Sequence, residues 1–294
     1  MEGRFFNIQK FSVNNIKVKF ILRGIKMIKI FTDSGADLEP NELEILGIKC
    51  VPLSVTFDNI TYKENINLTK KGFYKLLKLK KEKPTTSQPS PEDFFKLLEN
   101  NGDEYIGIFL SSKISGTYQN AKYCFTNFNC YPIDSESASA GMRILIEESI
   151  KLKNQGLSAK EIVMKIEELK KRIVVIACVD SPEYLLKGGR IKASMMSTIK
   201  PIVAIEQGKI TLIHKCIGTQ RGINYIANKV VKNHPDFSYP FHIMYADNHS
   251  MGVKLKEKLL SDKLPINNHS LVNVGAVIGS HTGPNAFGVA YVKR

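Results

Sequence analysis

The chain has 294 residues, 43% apolar and 24% charged, with a formal net charge of +14. That length and balance predict a packed core, spread over two domains. No apolar run approaches the ~20 residues of a membrane-spanning helix, and the five cysteines contain no Cys-x-x-Cys pair, so the chain reads as reduced and cytoplasmic rather than as a disulfide or zinc framework.

Residues 1–26 hold six Lys/Arg and one Glu, which is +5 of the total. They mix Phe, Ile, Asn and Lys without a period, and no Ala-x-Ala-like cleavage site follows. They read as an extension outside the fold, with Met27 as the natural start; a basic membrane-surface segment is the alternative. The remaining +9 is scattered along the chain. No run of interleaved basic and aromatic residues marks a nucleic-acid face.

Ile28–Thr32 predicts a first strand ending in the polar stretch Asp33–Asp37, and Ile48–Phe57 a second extended run ending at the turn Asp58-Asn59. Thr69 caps a helix through Phe73, Leu76, Leu77 and Lys80. Lys83–Pro91, with three prolines and four hydroxyl residues, predicts a stiff extended loop. Ser90, Pro91 and Asp93 are a helix start. A strand at Ile106–Leu110 leads through Ser111–Gly116 into a helix at Thr117–Phe125. A strand at Cys130–Ile133 then precedes a long helix over Ser139–Lys153. Ser158 and Glu161 form a capping box for a helix to about Lys171. This alternation predicts an N-terminal α/β domain over residues 27–171, with a doubly wound, mostly parallel sheet.

The pattern then changes. Ile173–Val179 predicts a strand, followed by a short helix to Leu186 and a break at Lys187-Gly-Gly-Arg190. Ile202–Gln207 and Lys209–Cys216 flank Gly208 as a hairpin. A helix at Gln220–Lys232, a strand at Phe241–Ala246, a helix at Met251–Leu260, a strand at Leu271–Ile278 and a closing strand at Phe287–Val292 follow. Hairpins mixed with helices predict a C-terminal α+β domain with an antiparallel sheet over residues 172–294.

Four polar clusters stand out: Thr32–Ser34, Thr85–Ser87, Ser111–Thr117 and His281-Thr282. Three belong to the carboxyl edge expected for one sheet, where such folds place ligands. The fourth comes from the other domain, so a cleft between domains is the expected site. A strand, a polar loop with Ser115 and Gly116, and a helix start aim N–H groups and hydroxyls at one point, which suits an anion. The enzyme alternative is a serine hydrolase using Ser115, His281 and Asp33 or Asp134. Against it, Ser115 lies in no Gly-x-Ser-x-Gly elbow. A dinucleotide loop is absent, and the six histidines are too dispersed for a metal site. Arg190, after two glycines, suits a phosphate reader or a docking residue as well as a plain surface arginine.

Seven segments, in order, resemble the DegV family, which includes the fatty-acid-binding subunits of bacterial fatty acid kinase: Phe31–Leu38, Thr86–Ser90, Leu110–Gln119, Ile133–Ser135, Lys187–Ile191, Lys200–Ile202 and His281–Pro284. The resemblance covers residues 27–294. It implies a non-enzymatic carrier with a long-chain fatty acid, such as palmitate or oleate, lying between two domains and no cofactor. It implies that Thr86 and Ser115, with Gly116 beside them, hold the carboxylate, that His281 lies near it, and that Arg190 serves transfer. The implied partner is an ATP-dependent fatty acid kinase subunit that forms an acyl-phosphate for phospholipid synthesis. Transient membrane contact is compatible with this role, and nucleic acid is not a partner. Two departures from the family pattern are Lys215–Arg221, where the basic residue is displaced, and Asn285, where glycine is common.

Overall fold

The computed structural model describes residues 27–80, 82–98, 103–186, 199–266 and 271–294. The extension 1–26 and Arg190 lie outside the described residues. The predicted α/β class with one parallel and one antiparallel sheet is what the chain forms.

The first sheet joins β1 (Ile28–Asp33), β2 (Lys49–Val51), β6 (Glu104–Phe109) and β7 (Cys130–Asp134) in the order β2-β1-β6-β7, all parallel. The chain leaves β1 toward β2 on one side and later returns to β6 on the other. The β1/β6 junction is therefore a switch point, where the ends of strands open a crevice. Its first residues beyond the strands are Ser34 and Leu110.

The second sheet joins β8 (Ile173–Cys178), β9 (Ile199–Glu206), β10 (Lys209–Ile217), β11 (His242–Tyr245), β12 (Leu271–Asn273) and β13 (Phe287–Val292), in the order β10-β9-β8-β13-β11-β12. Its pairs are antiparallel except β11 with β12, which are parallel. The helix His249–Ser261 carries the chain from one to the other and makes that pairing possible.

Between the two sheets runs the helix Ala140–Asn154. Met142, Ile144, Leu145 and Ile146 are fully buried around its circumference, as expected for a helix packed on more than one side. One apolar cluster joins Ile30, Ile106 and Ile108 of the first sheet, this helix, and Val175, Met244 and Ala290 of the second. Burial at roughly 25 cal/mol per Å² of apolar surface makes this shared layer the main force holding the sheets together.

A third, small sheet was not foreseen. β3 (Ser54–Phe57), β4 (Ile60–Lys63) and β5 (Thr85–Ser87) pair antiparallel in the order β4-β3-β5. The expected single run Ile48–Phe57 is split between two sheets. Pro52 has no N–H for the ladder, and the next residue, Leu53, donates its N–H to Ser34 Oγ at 3.0 Å. The expected turn Asp58-Asn59 joins β3 to β4, with φ of 45° and 67°, as a two-residue hairpin turn demands. The stiff loop 83–91 contains β5, whose Thr86 pairs with Val55.

The second correction lies near the C-terminus. The expected strand Leu271–Ile278 ends at Asn273, and Ala276–Thr282 is a helix. The first N–H groups of this helix are capped by Glu64, far away in sequence. In chain order the helices are α1 (Pro40–Leu46), α2 (Lys70–Leu79), α3 (Pro91–Phe95), α4 (Thr117–Cys124), α5 (Ala140–Asn154), α6 (Ala159–Leu169), α7 (Pro182–Leu186), α8 (Thr219–Asn233), α9 (His249–Ser261) and α10 (Ala276–Thr282). Thr69 and Ser90 cap α2 and α3 as expected. The Ser158/Glu161 box caps α6.

Candidate functional site

The polar edge of the first sheet divides into two parts. In the first, every hydroxyl and carboxylate of Thr32, Asp33 and Ser34 is engaged within the fold. Thr32 Oγ1 donates to the Ile108 carbonyl at 2.7 Å. Asp33 accepts from Gly35 N at 2.8 Å and from Leu110 N at 2.7 Å. All three residues are buried. Burial pushes the Asp33 carboxyl up to about 7, against the lowering effect of those two N–H groups.

The second part faces open space. The loop after β6 is anchored at its base: Ser111 Oγ donates to the Gly208 carbonyl at 2.7 Å, and Ser112 N donates to Asp134 Oδ1 at 3.1 Å. This places Ser115 and Gly116 at the start of α4, with Gly116 as its N-cap. Ser115 Oγ lies 2.8 Å from Thr117 Oγ1 and accepts from Thr117 N at 3.3 Å. A side chain at Gly116 would meet Gln88 Oε1, which would have to turn aside, so the glycine leaves the Gln88 amide room over this helix start.

His281 sits in the last turn of α10. Its Nε2 lies 2.8 Å from Thr86 Oγ1, a bond spanning 195 residues. Three of the four predicted clusters therefore meet: Thr86, Ser115 with Gly116, and His281. Thr32–Ser34 does not join them; it is scaffold. Arg190 lies outside the described residues. The hydrolase arrangement finds no support here, because Ser115 bonds to a threonine rather than to a base and both Asp33 oxygens accept from backbone N–H groups.

Two cavities meet at this point. A polar vestibule of about 530 Å³, counting its open mouth, is lined by Thr86, Ser87, Gln88, Ser115 and Gly116 together with Leu53, Leu110, Ile114 and Val277. An apolar cavity of about 800 Å³, counted the same way, runs between the switch point and the second sheet. Val175, Ala177 and Val203 are among its walls, and its polar lining is confined to Ser139, His281 and Thr282. Leu110, Ile114 and Val277 line both cavities, so the vestibule adjoins the apolar space. The arrangement suits a molecule with one anionic end and a long apolar body.

The helix that presents His281 is held at its other end by buried acids. Its N-cap is Gly275, which has no side chain to cap with. Instead Glu64 Oε1 accepts from Ala276 N, and also from Val277 N at 3.3 Å. Asp37 Oδ1 accepts from Gly275 N at 2.8 Å, and Ser139 Oγ donates to Asp37 Oδ2. Lys70 Nζ donates to the Asp37 and Asn273 carbonyls at 2.8 Å each and lies 2.9 Å from Glu39 Oε1. Burial pushes Asp37 up to about 6 and Glu64 up to about 7, Asp37 adding to the effect on Glu64. Sequence reading missed this cluster. Its only signal was the pair of acids, Asp37 and Glu64, near turns.

The two departures also find places. Asn285 does not adopt a positive φ; its Nδ2 donates to Asp180 Oδ2 at 3.1 Å and its Oδ1 accepts from Asn248 at 3.0 Å. Asp180 in turn holds Lys200 at 3.1 Å. Lys215 and Arg221 are exposed on β10 and the first turn of α8. Among the described residues there is no cluster of His, Cys, Asp or Glu fit for a metal, and no helix long and apolar enough to cross a membrane.

Residues 27–294 match the model of the family described as "Uncharacterised protein, DegV family". A DegV domain-containing protein of Caldanaerobacter subterraneus is 31% identical over 282 residues, covering 92% of this chain and all of the relative. Among solved structures, DegV of Bacillus subtilis, described as a fatty acid binding protein, is 30% identical with a TM-score of 0.78, over 92% of this chain and 100% of that one. A DegV family protein of Thermus thermophilus, solved for its fatty acid binding, is 25% identical with a TM-score of 0.81, over 91% and 100% of the two chains.

Proposed function

The chain belongs to the DegV family, and on that premise we propose that it binds a long-chain fatty acid such as palmitate or oleate. The carboxylate lies in the vestibule at Thr86, Ser115 and Gly116, beside His281. The acyl chain lies in the apolar cavity, between residues 27–171 and 172–294 taken as two domains. The observation that carries the reading is the junction at Leu110, Ile114 and Val277, where a wall of hydroxyls gives way to an apolar lining. A buried carboxylate needs several donors at once. At about 0.8 kcal/mol per methylene, ten buried methylenes supply roughly 8 kcal/mol before ordering costs.

The role that fits such a site is carriage rather than turnover. The Ser115 hydroxyl bonds to Thr117 and not to a base, which suits holding an anion better than attacking an ester. The protein presents the carboxylate to an ATP-dependent kinase subunit, Arg190 serving that transfer, and the acyl-phosphate supplies phospholipid synthesis in the cytoplasm. Transient membrane contact would load the carrier.

Mass spectrometry of the purified protein under native conditions, followed by analysis of its organic extract, tests the ligand class. The expected result is a co-purified fatty acid near one per chain. A protein that is empty, and stays empty after incubation with palmitate and oleate, overturns the reading.

A further inference from the structure

A helix of seven residues is too short to hold itself in water, yet α10 fixes His281 at its end. Its own N-cap is a glycine, and the acceptor for its first N–H groups comes from Glu64, 212 residues earlier in the chain. A Cβ at Gly275 would collide with Glu64 Oε1 and stand 2.9 Å from Asp37 Oδ1, so the glycine is what admits this outside cap. Glu64 follows β4, and Thr86 lies in β5 of the same small sheet. One sheet thus grips both ends of α10: by Glu64 at the start and by Thr86 on His281 at the finish. The side of the helix packs on α2, where Gly279 lies against Tyr74 and Phe73.

We propose that Glu64 is a positioning residue for the head-group site, holding α10 in the register that brings His281 to Thr86. The inference rests on the fatty-acid reading and adds a residue that lines neither cavity and acts through the backbone of α10. Losing the Glu64 acceptor leaves the first N–H groups of α10 without a partner, and the helix gains freedom to slide or fray. His281 then no longer sits at a fixed distance from Thr86. Val277 and Ile278 of α10 also line the apolar cavity, so contacts to the chain weaken for both head groups, while only the carboxylate loses the fixed His281 as well.

The test is the ratio of affinities for palmitate and 1-hexadecanol, which share a chain and differ at the head. Wild type should favour palmitate. Glu64→Ala should lower that ratio about tenfold, the scale of a lost buried hydrogen bond, and shift the imidazole resonances of His281. Glu64→Gln keeps an oxygen acceptor and should restore the ratio to within about twofold. Tyr74→Phe removes the bond from Tyr74 to the Val274 carbonyl, 3.0 Å at the same helix end, and should leave the ratio unchanged. If Glu64→Ala fails to fold, Glu64→Asp retracts the acceptor by one methylene and should lower the ratio in the same direction. A wild-type ratio in Glu64→Ala or in its Asp replacement overturns the proposal, as does an equal fall in Tyr74→Phe. A wild-type protein that binds neither compound overturns the fatty-acid reading itself, a distinct outcome.

Discussion

Thr32–Ser34 and Ser111–Gly116 lie at and just beyond the ends of neighbouring strands of one sheet and look alike as sequence: short, polar, rich in hydroxyls. In the fold they are opposites. The first is buried, and its polar atoms hold the Gly35, Leu53 and Leu110 N–H groups and the Ile108 carbonyl. The second is anchored only at its base, leaving Ser115 and Gly116 on the wall of a cavity. A hydroxyl-rich loop becomes a binding site when its tip faces space that a partner loop also faces. Here Thr86–Gln88 provides that second wall.

The sharpest way to break this contrast is Asp33→Ala. It leaves two buried N–H groups, of Gly35 and Leu110, without acceptors. The expected loss is about 3 kcal/mol of stability, read from urea unfolding. The folded fraction should bind palmitate with near wild-type affinity. Full stability with lost binding would move the Asp33 cluster into the site.

A smaller effect comes from pH. Asp33, Asp37 and Glu64 have folded-state values raised to about 7, 6 and 7. Between their unfolded values near 4 and these raised values, the folded state binds more protons than the unfolded one. Stability is therefore fully present at low pH and lost as pH rises through 6–7. The unfolding free energy from urea titration should increase from pH 7.5 to pH 5.5, by about 2 kcal/mol for a group raised to about 7. Further acidification works against the gain through Glu147, whose partners His242 and Arg143 hold it below its usual value until it loses its charge. A midpoint that falls between pH 7.5 and 5.5 would contradict the buried-acid account.

Much of the architecture was legible. Strand and helix alternation up to residue 171, the helix start at Ser90, the capping box at Ser158 and the hairpin around Gly208 all depend on local chemistry, and they appear as expected. What escaped depends on partners far away in sequence. The run Leu271–Ile278 is apolar enough for a strand, but its second half opens a helix whose first N–H groups are capped by Glu64, with Asp37 beside it. Ile48–Phe57 reads as one run, and neither its break at Pro52 nor the destination of the strand that follows shows in the local pattern. Thr86, Ser115, Gly116 and His281 were found as motifs; that Thr86 would bond directly to His281 could not be read from either segment alone.

The most direct test of the central claim is calorimetric titration of palmitate into wild type, Thr86→Ala and Ser115→Ala, with unfolding measured on each. The account predicts that each substitution weakens binding by about 1–3 kcal/mol, the cost of leaving a buried charged acceptor short of a donor, while the unfolding midpoints stay close to wild type. Wild-type affinity in both variants would place the carboxylate elsewhere and contradict the account.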